Sequence, residues 1–88
     1  MSQITAIYHG TSSNGHILDG ATRQLWTLSR QVAEIRESKG LSQQDVANIT
    51  RQAQQHVSRV EHGQNCQLLT FLKVCQALGI RVVLEEVK

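Results

Sequence analysis

Four polar side chains within one short stretch, Gln54, Gln55, His56 and Arg59, have the types and spacing to recognise hydrogen-bonding edges. A glutamine amide carries a donor and an acceptor side by side and can pair bidentately with adenine N6 and N7. An arginine fork suits guanine O6 and N7, and both arginine and histidine can meet a phosphate. On a helix these four share the side opposite Val57 and Val60, which recur at i, i+3 and face inward. A merely solvated face has a similar composition, so the surroundings decide. The stretch just before it, from Leu41, reads as a second short helix. Ser42 can cap it, Asp45 adds a carboxylate at the positive end of its dipole, and Val46 and Ala47 face inward. Arg51, Gln52 and Ala53 make a tight corner between the two. Leu41–Gly63 is therefore a helix-turn-helix, with Gln54–Glu61 as its reading helix.

The remaining elements must hold that pair in place. Eighty-eight residues make one domain, with no room for a separate ligand-sensing domain. Three aromatics against 40% hydrophobic residues predict an aliphatic core. A net charge of +2 is too small to identify a polyanion partner by itself, so the placement of charge carries the argument. No run approaches the ~20 apolar residues of a membrane span, and no basic-then-apolar leader opens the chain. Cys66 and Cys75 lie in or beside an apolar helix, which predicts buried free thiols in a reducing cytoplasm. Nothing in the chain calls for a cofactor. It has no glycine-rich phosphate loop and no Cys-x-x-Cys pair, and Ser58 and His56 point about 160° apart on a helix. An enzyme is not expected.

Taken in order, residues 1–20 are expected to form an N-terminal arm, with some strand character over Gln3–Tyr8. His9 and His16 lack a third ligand at fixed spacing and are expected to be solvated. Residues 21–88 are expected to form the domain. Ala21, Leu25, Leu28, Val32 and Ile35 mark a core helix over about 21–39, capped by Asp19 and stopped by Gly40. Trp26 lies off this stripe and suits either cover for the arm or a subunit contact. Arg36 is expected to pair with Glu61 in a partly buried bidentate bridge. In Leu68–Leu78, eight of eleven residues are apolar, too many for a one-sided surface helix. A second copy of the chain is the simplest cover. Phe71, Val74, Cys75 and Leu78 are assigned to that interface, together with Ile80, Val82 and Leu84 of a strand over 80–87. An isolated strand is unstable, so this one must pair with its own copy, with Gln3–Tyr8 or with another protein.

The run LSQQDVA…HVSRVEHG resembles the helix-turn-helix of the Xre/Cro family of bacterial and phage repressors. TFLKVCQALGIRVVL resembles the fourth helix and closing strand of HipB, the antitoxin partner of HipA-type kinases. The resemblance implies a mostly α, four- to five-helix, lambda-repressor-like DNA-binding domain with a short C-terminal dimerisation strand. It also implies a homodimer on an inverted-repeat operator, an autorepressor role and a HipA-like kinase toxin as partner. A stand-alone phage or plasmid repressor, or a restriction–modification controller, is the alternative. The paired Gln54 and Gln55 resemble the glutamines that open the reading helix in 434-type repressors, which makes them, with Arg59, the base-contacting candidates. Gln43 stands where the family places a phosphate contact, and Ser42, Arg51, His56 and Ser58 are assigned to the DNA backbone. The sequence departs from the family at the corner, where Arg51 and Gln52 replace the usual glycine and aliphatic residue.

Overall fold

A computed structural model describes residues 2–6 and 17–86. The order is β1 (Ser2–Ala6), α1 (Ile17–Ser38), α2 (Gln43–Thr50), α3 (Gln54–Glu61), α4 (Leu68–Ala77) and β2 (Ile80–Leu84). The fold is thus mostly helical, with a strand closing each end. His9, His16, Tyr8 and Val87 lie outside the described residues. Among the described residues no helix is long and apolar enough to cross a membrane, and no group of three or more metal-ligating side chains occurs.

β2 pairs with β1 in parallel, in the register Ser2↔Ile80 through Ala6↔Leu84. The strand thus finds a partner in the same chain, and the N-terminal segment is the one of the three expected partners that supplies it. A parallel pair needs a long crossover, and the four helices provide it.

α1 begins at Ile17, so Asp19 lies inside its first turn instead of capping it. Its apolar stripe also packs over a shorter length than its period suggests. Val32 is fully buried and Leu28 and Ile35 pack against the core, but Ala21 is exposed. The buried and half-buried positions of this 22-residue helix concentrate from Gln24 onward, where it meets α3.

The core unites Val32 of α1, Val46 and Ala47 of α2, Val57 and Val60 of α3, Phe71, Val74 and Cys75 of α4, and Leu78 and Ile80 after it. This corrects the expected interface. Phe71, Val74, Cys75, Leu78 and Ile80 fill the chain's own interior, and Val82 is half-buried against it. The large apolar residues that α4 leaves on the surface are Leu68, Leu69 and Leu72, and on β2 it is Leu84. A helix apolar all round carries two stripes, and its periodicity does not say which one meets the core.

The helix ends explain the corner. After α1 the N–H of Leu41 donates to the carbonyl of Arg36 (3.3 Å), and after α3 that of Gln64 donates to Arg59 (3.1 Å). After α2 the N–H of Gln52 donates to Ala47 (2.9 Å) and that of Arg51 to Asn48 (3.3 Å). All three ends are of the Schellman type, which needs a left-handed residue just past the helix. Gly40 and Gly63 supply it elsewhere (φ 70° and 66°), whereas the corner uses Arg51 (φ 56°, ψ 43°). Arg51 thus adopts the backbone of the family's glycine at some cost, of order 1 kcal/mol. Arg51→Gly is expected to raise stability by about 0.5–1 kcal/mol, read as a higher urea midpoint at constant m-value. An unchanged or lower midpoint would show that the side chain of Arg51 contributes as much as its backbone loses.

Gly63 has a second duty. A Cβ there would lie 3.3 Å from the Trp26 Cα and 3.5 Å from its ring, so glycine lets the end of α3 lie directly on α1.

Candidate nucleic-acid interface

The start of α2 is held by a complete capping box. The Ser42 Oγ accepts from the Asp45 N–H (3.0 Å), and the Ser42 N–H donates to Asp45 Oδ2 (2.8 Å). The Ser42 backbone N–H, and after it the Ser42 side chain, hold the Asp45 carboxyl below its ordinary range. Ser42 therefore serves the helix first, with only its hydroxyl proton left to offer a phosphate.

Behind the reading helix lies a chain of polar contacts. Arg36 Nε donates to Glu61 Oε2 (2.5 Å), Nη2 to Glu61 Oε1 (3.1 Å) and Nη1 to the Leu41 carbonyl (2.6 Å). The side chains are only 13% and 4% exposed, so this is a buried fork on a carboxylate. The hydrogen bond to Glu61 raises the Arg36 pKa above its ordinary value despite the desolvation that opposes it. Arg36 is fully engaged in the interior and does not face outward to a phosphate. Gln43 joins the same group, since its Nε2 donates to Glu61 Oε1 (3.0 Å). Its Oε1 in turn accepts from Gln54 Nε2 at 3.4 Å. A line of contacts thus runs from α1 through the ion pair to the first residue of α3. Gln43 acts as a bridge within the protein, and a phosphate has access only to what remains of its amide.

Outward, α3 exposes Gln54, Gln55, His56 and Arg59 on one side, while Val57, Val60 and Glu61 are buried on the other. The three base-contacting candidates therefore share one accessible face, free of any large apolar side chain. Arg51 is exposed at the corner, one residue before Gln52, whose buried Oε1 has no hydrogen-bond partner in the structure. Ser58 is half-buried, and its Oγ lies 3.1 Å from His62 Nδ1. The same nitrogen lies 2.7 Å from the Ser58 carbonyl, an acceptor, so Nδ1 carries the proton and donates.

The sequence does not single out His62, and it marks Trp26 only as cover for the arm or a subunit contact. His62 stands at the C-terminal end of α3, where a histidine suits the helix dipole, and its place four residues after Ser58 was the available signal. Trp26, 58% exposed, carries the Arg30 guanidinium 5.6 Å from its ring centroid. It borders a cleft shared with Arg36, Gln43, Glu61 and His62. Gln67, just before α4, and Thr70 of α4 come beside His56 and Arg59 across a second cleft. No spacing in the sequence announces either juxtaposition.

The two thiols differ in environment. Burial pushes the Cys75 pKa up to about 11 and also raises that of Cys66, which is half-buried. A thiol reagent near pH 8 is expected to label Cys66 first and Cys75 about tenfold or more slowly, on opening of the core. Comparable rates would mean that α4 does not shield Cys75. Because the folded pKa of Cys75 is raised, its contribution to stability is complete below pH 9 and is lost as pH rises towards 11.

Comparison with known proteins agrees with this geometry. Residues 32–84 match the family model HTH_3, described as helix-turn-helix. The chain is similar to the restriction-modification controller protein C.AhdI from Aeromonas hydrophila, with 35% sequence identity and a TM-score of 0.60. That match covers 67% of this chain and 91% of the controller. No protein in the curated comparison matches.

Proposed function

The chain belongs to the helix-turn-helix family HTH_3, and from that premise we propose that it is a sequence-specific DNA-binding transcriptional regulator acting as a two-fold dimer. The observation that carries this reading is α3 itself. Gln54, Gln55 and Arg59 stand on one exposed face of a helix whose other face is locked by Glu61 and Gln43. Such a face can enter a major groove with its donors and acceptors already oriented. Ser42, Arg51, His56 and Ser58 ring it and are assigned to the DNA backbone.

Similarity to a restriction-modification controller favours a controller of neighbouring genes. A second reading, a HipB-like antitoxin and autorepressor that binds a HipA-type kinase, keeps one supporting observation. The segment LTFLKVCQALGIRVVL forms α4 followed at once by a strand, β2, with Gly79 between them. The genes beside this one separate the two readings. Restriction–modification genes support the first, and a kinase toxin that co-purifies with this chain supports the second.

The dimer is supported by the exposed ridge of Leu68, Leu69 and Leu72, apolar area that a second copy would cover. Two reading helices then stand about 34 Å apart, and footprinting is expected to show an inverted repeat. Light scattering should give the mass of two chains at micromolar concentration, and Leu72→Glu should shift it towards one. A wild-type monomer under those conditions would refute the two-fold arrangement.

A further inference from the structure

A cleft of about 200 Å³ opens between α3 and α4, lined by His56, Arg59, Cys66, Gln67 and Thr70. Its chemistry is one-sided. A guanidinium, an imidazole, a carboxamide and a hydroxyl can all donate, and no carboxylate lines it. The cleft beside Trp26 differs, since it holds Glu37 and Glu61 as well as its cations. Among the described residues neither His56 nor Arg59 has an ion-pair partner, and both are exposed. They lie three residues apart on one side of α3, so two positive charges would face each other there without a counter-charge. Gln67 stands just before α4 without capping it, which leaves its amide to serve another acceptor. The groups facing His56 are Arg59 on its own helix, the Cys66 thiol in the loop, and Gln67 and Thr70 at the start of α4. Burial keeps that thiol neutral, so none of these neighbours is acidic.

A tetrahedral oxyanion is the ligand chemistry that such a set of donors suits. We propose that the cleft seats one backbone phosphodiester of the bound DNA, and that His56 takes up a proton to hold it. The inference rests on the DNA-binding reading and deepens it. It moves Arg59 from the base-reading set to the DNA backbone and gives that surface a proton-linked contact separate from Gln54 and Gln55. A phosphate beside His56 favours the imidazolium, so affinity rises as pH falls through the ordinary histidine range.

The test measures the affinity of the full chain for a labelled duplex of about 20 base pairs of random sequence at low salt, because a phosphate contact needs no particular bases. Wild type is expected to bind about fivefold more tightly at pH 6 than at pH 8. His56→Gln should flatten this dependence. His62→Gln should retain it, since that ring is engaged with Ser58 and lines the other cleft. Arg59→Ala should reduce the salt slope by about one ion. Circular dichroism on each variant confirms that it is folded. Equal pH dependence in wild type and His56→Gln overturns the proposal while leaving DNA binding intact. A wild type that binds no duplex at any pH removes the DNA reading and the seat with it. Inorganic phosphate provides the other arm, followed through the amide resonances of Gln67 and Thr70. Shifts there without His56-linked DNA binding would identify a free-anion site and overturn the DNA-backbone assignment.

Discussion

Glu61→Ala is expected to destabilise the domain by about 3–5 kcal/mol, lowering the melting temperature by roughly 15 °C or more. The loss comes from what is left behind. Without the carboxylate, Arg36 keeps its bond to the Leu41 carbonyl, but two of its donors lose their acceptor in a site where its side chain is 13% exposed. Glu37 remains 3.8 Å from Nη2, but it is 68% exposed and offsets little of the cost of a buried guanidinium that has lost its fork partner. Gln43 loses its acceptor at the same time, so the start of α3 loosens. A domain of this size has a total stability of order 5–10 kcal/mol, so the variant should be partly unfolded near body temperature. The double variant Arg36→Met with Glu61→Leu is the informative control. It removes both charges and fills the space, and should recover most of the stability. Chemical denaturation of wild type, Glu61→Ala and the double variant measures this directly. A single-variant loss below about 1 kcal/mol would mean that the pair behaves as an exposed salt bridge, contrary to its 13% and 4% exposures.

Gln54→Ala and Gln55→Ala are each expected to weaken binding to the operator by about 1–3 kcal/mol, roughly five- to 150-fold, with little change on random DNA. An adenine-reading amide contributes only where its base is present, so the loss belongs to the specific complex. The structure divides the two residues further. Gln54 donates to Gln43 at 3.4 Å, a long bond that orients the amide yet is cheap to exchange for a base. Gln43→Ala should therefore also reduce operator affinity, and less than additively with Gln54→Ala, since both act through one amide. Binding titrations on operator and random duplexes, for wild type and the three single and double variants, resolve this. Equal losses on both DNAs would show that the glutamines do not read bases.

The helix-turn-helix was legible because its signals are local. A capping serine, an acid three residues on, and valines at i, i+3 each depend on neighbours within one or two turns. The order of elements and the helical class followed from the same short-range patterns, as did the closing strand, whose β-branched run Ile80–Val83 needs no distant partner to be recognised. Even the unusual corner is visible as a departure at Arg51, although its left-handed backbone is known only from the structure.

Tertiary structure decided what depends on residues distant in the chain. Leu68–Leu78 is apolar on both sides, and only packing against α1, α2 and α3 directs Phe71, Val74, Cys75 and Leu78 inward and leaves Leu68, Leu69 and Leu72 outside. The partner of β2 comes from about eighty residues upstream, and a strand's own sequence states that it needs an edge without naming one. Gln43 looked like a surface residue at a helix start, yet the approach of α3 brings Glu61 within 3.0 Å of it and turns it inward. His56 and Arg59 acquire Gln67 and Thr70 as neighbours only when α4 folds back beside α3. A sequence specifies each side chain's donors and charge, and the distance between two of them is a property of the packed chain.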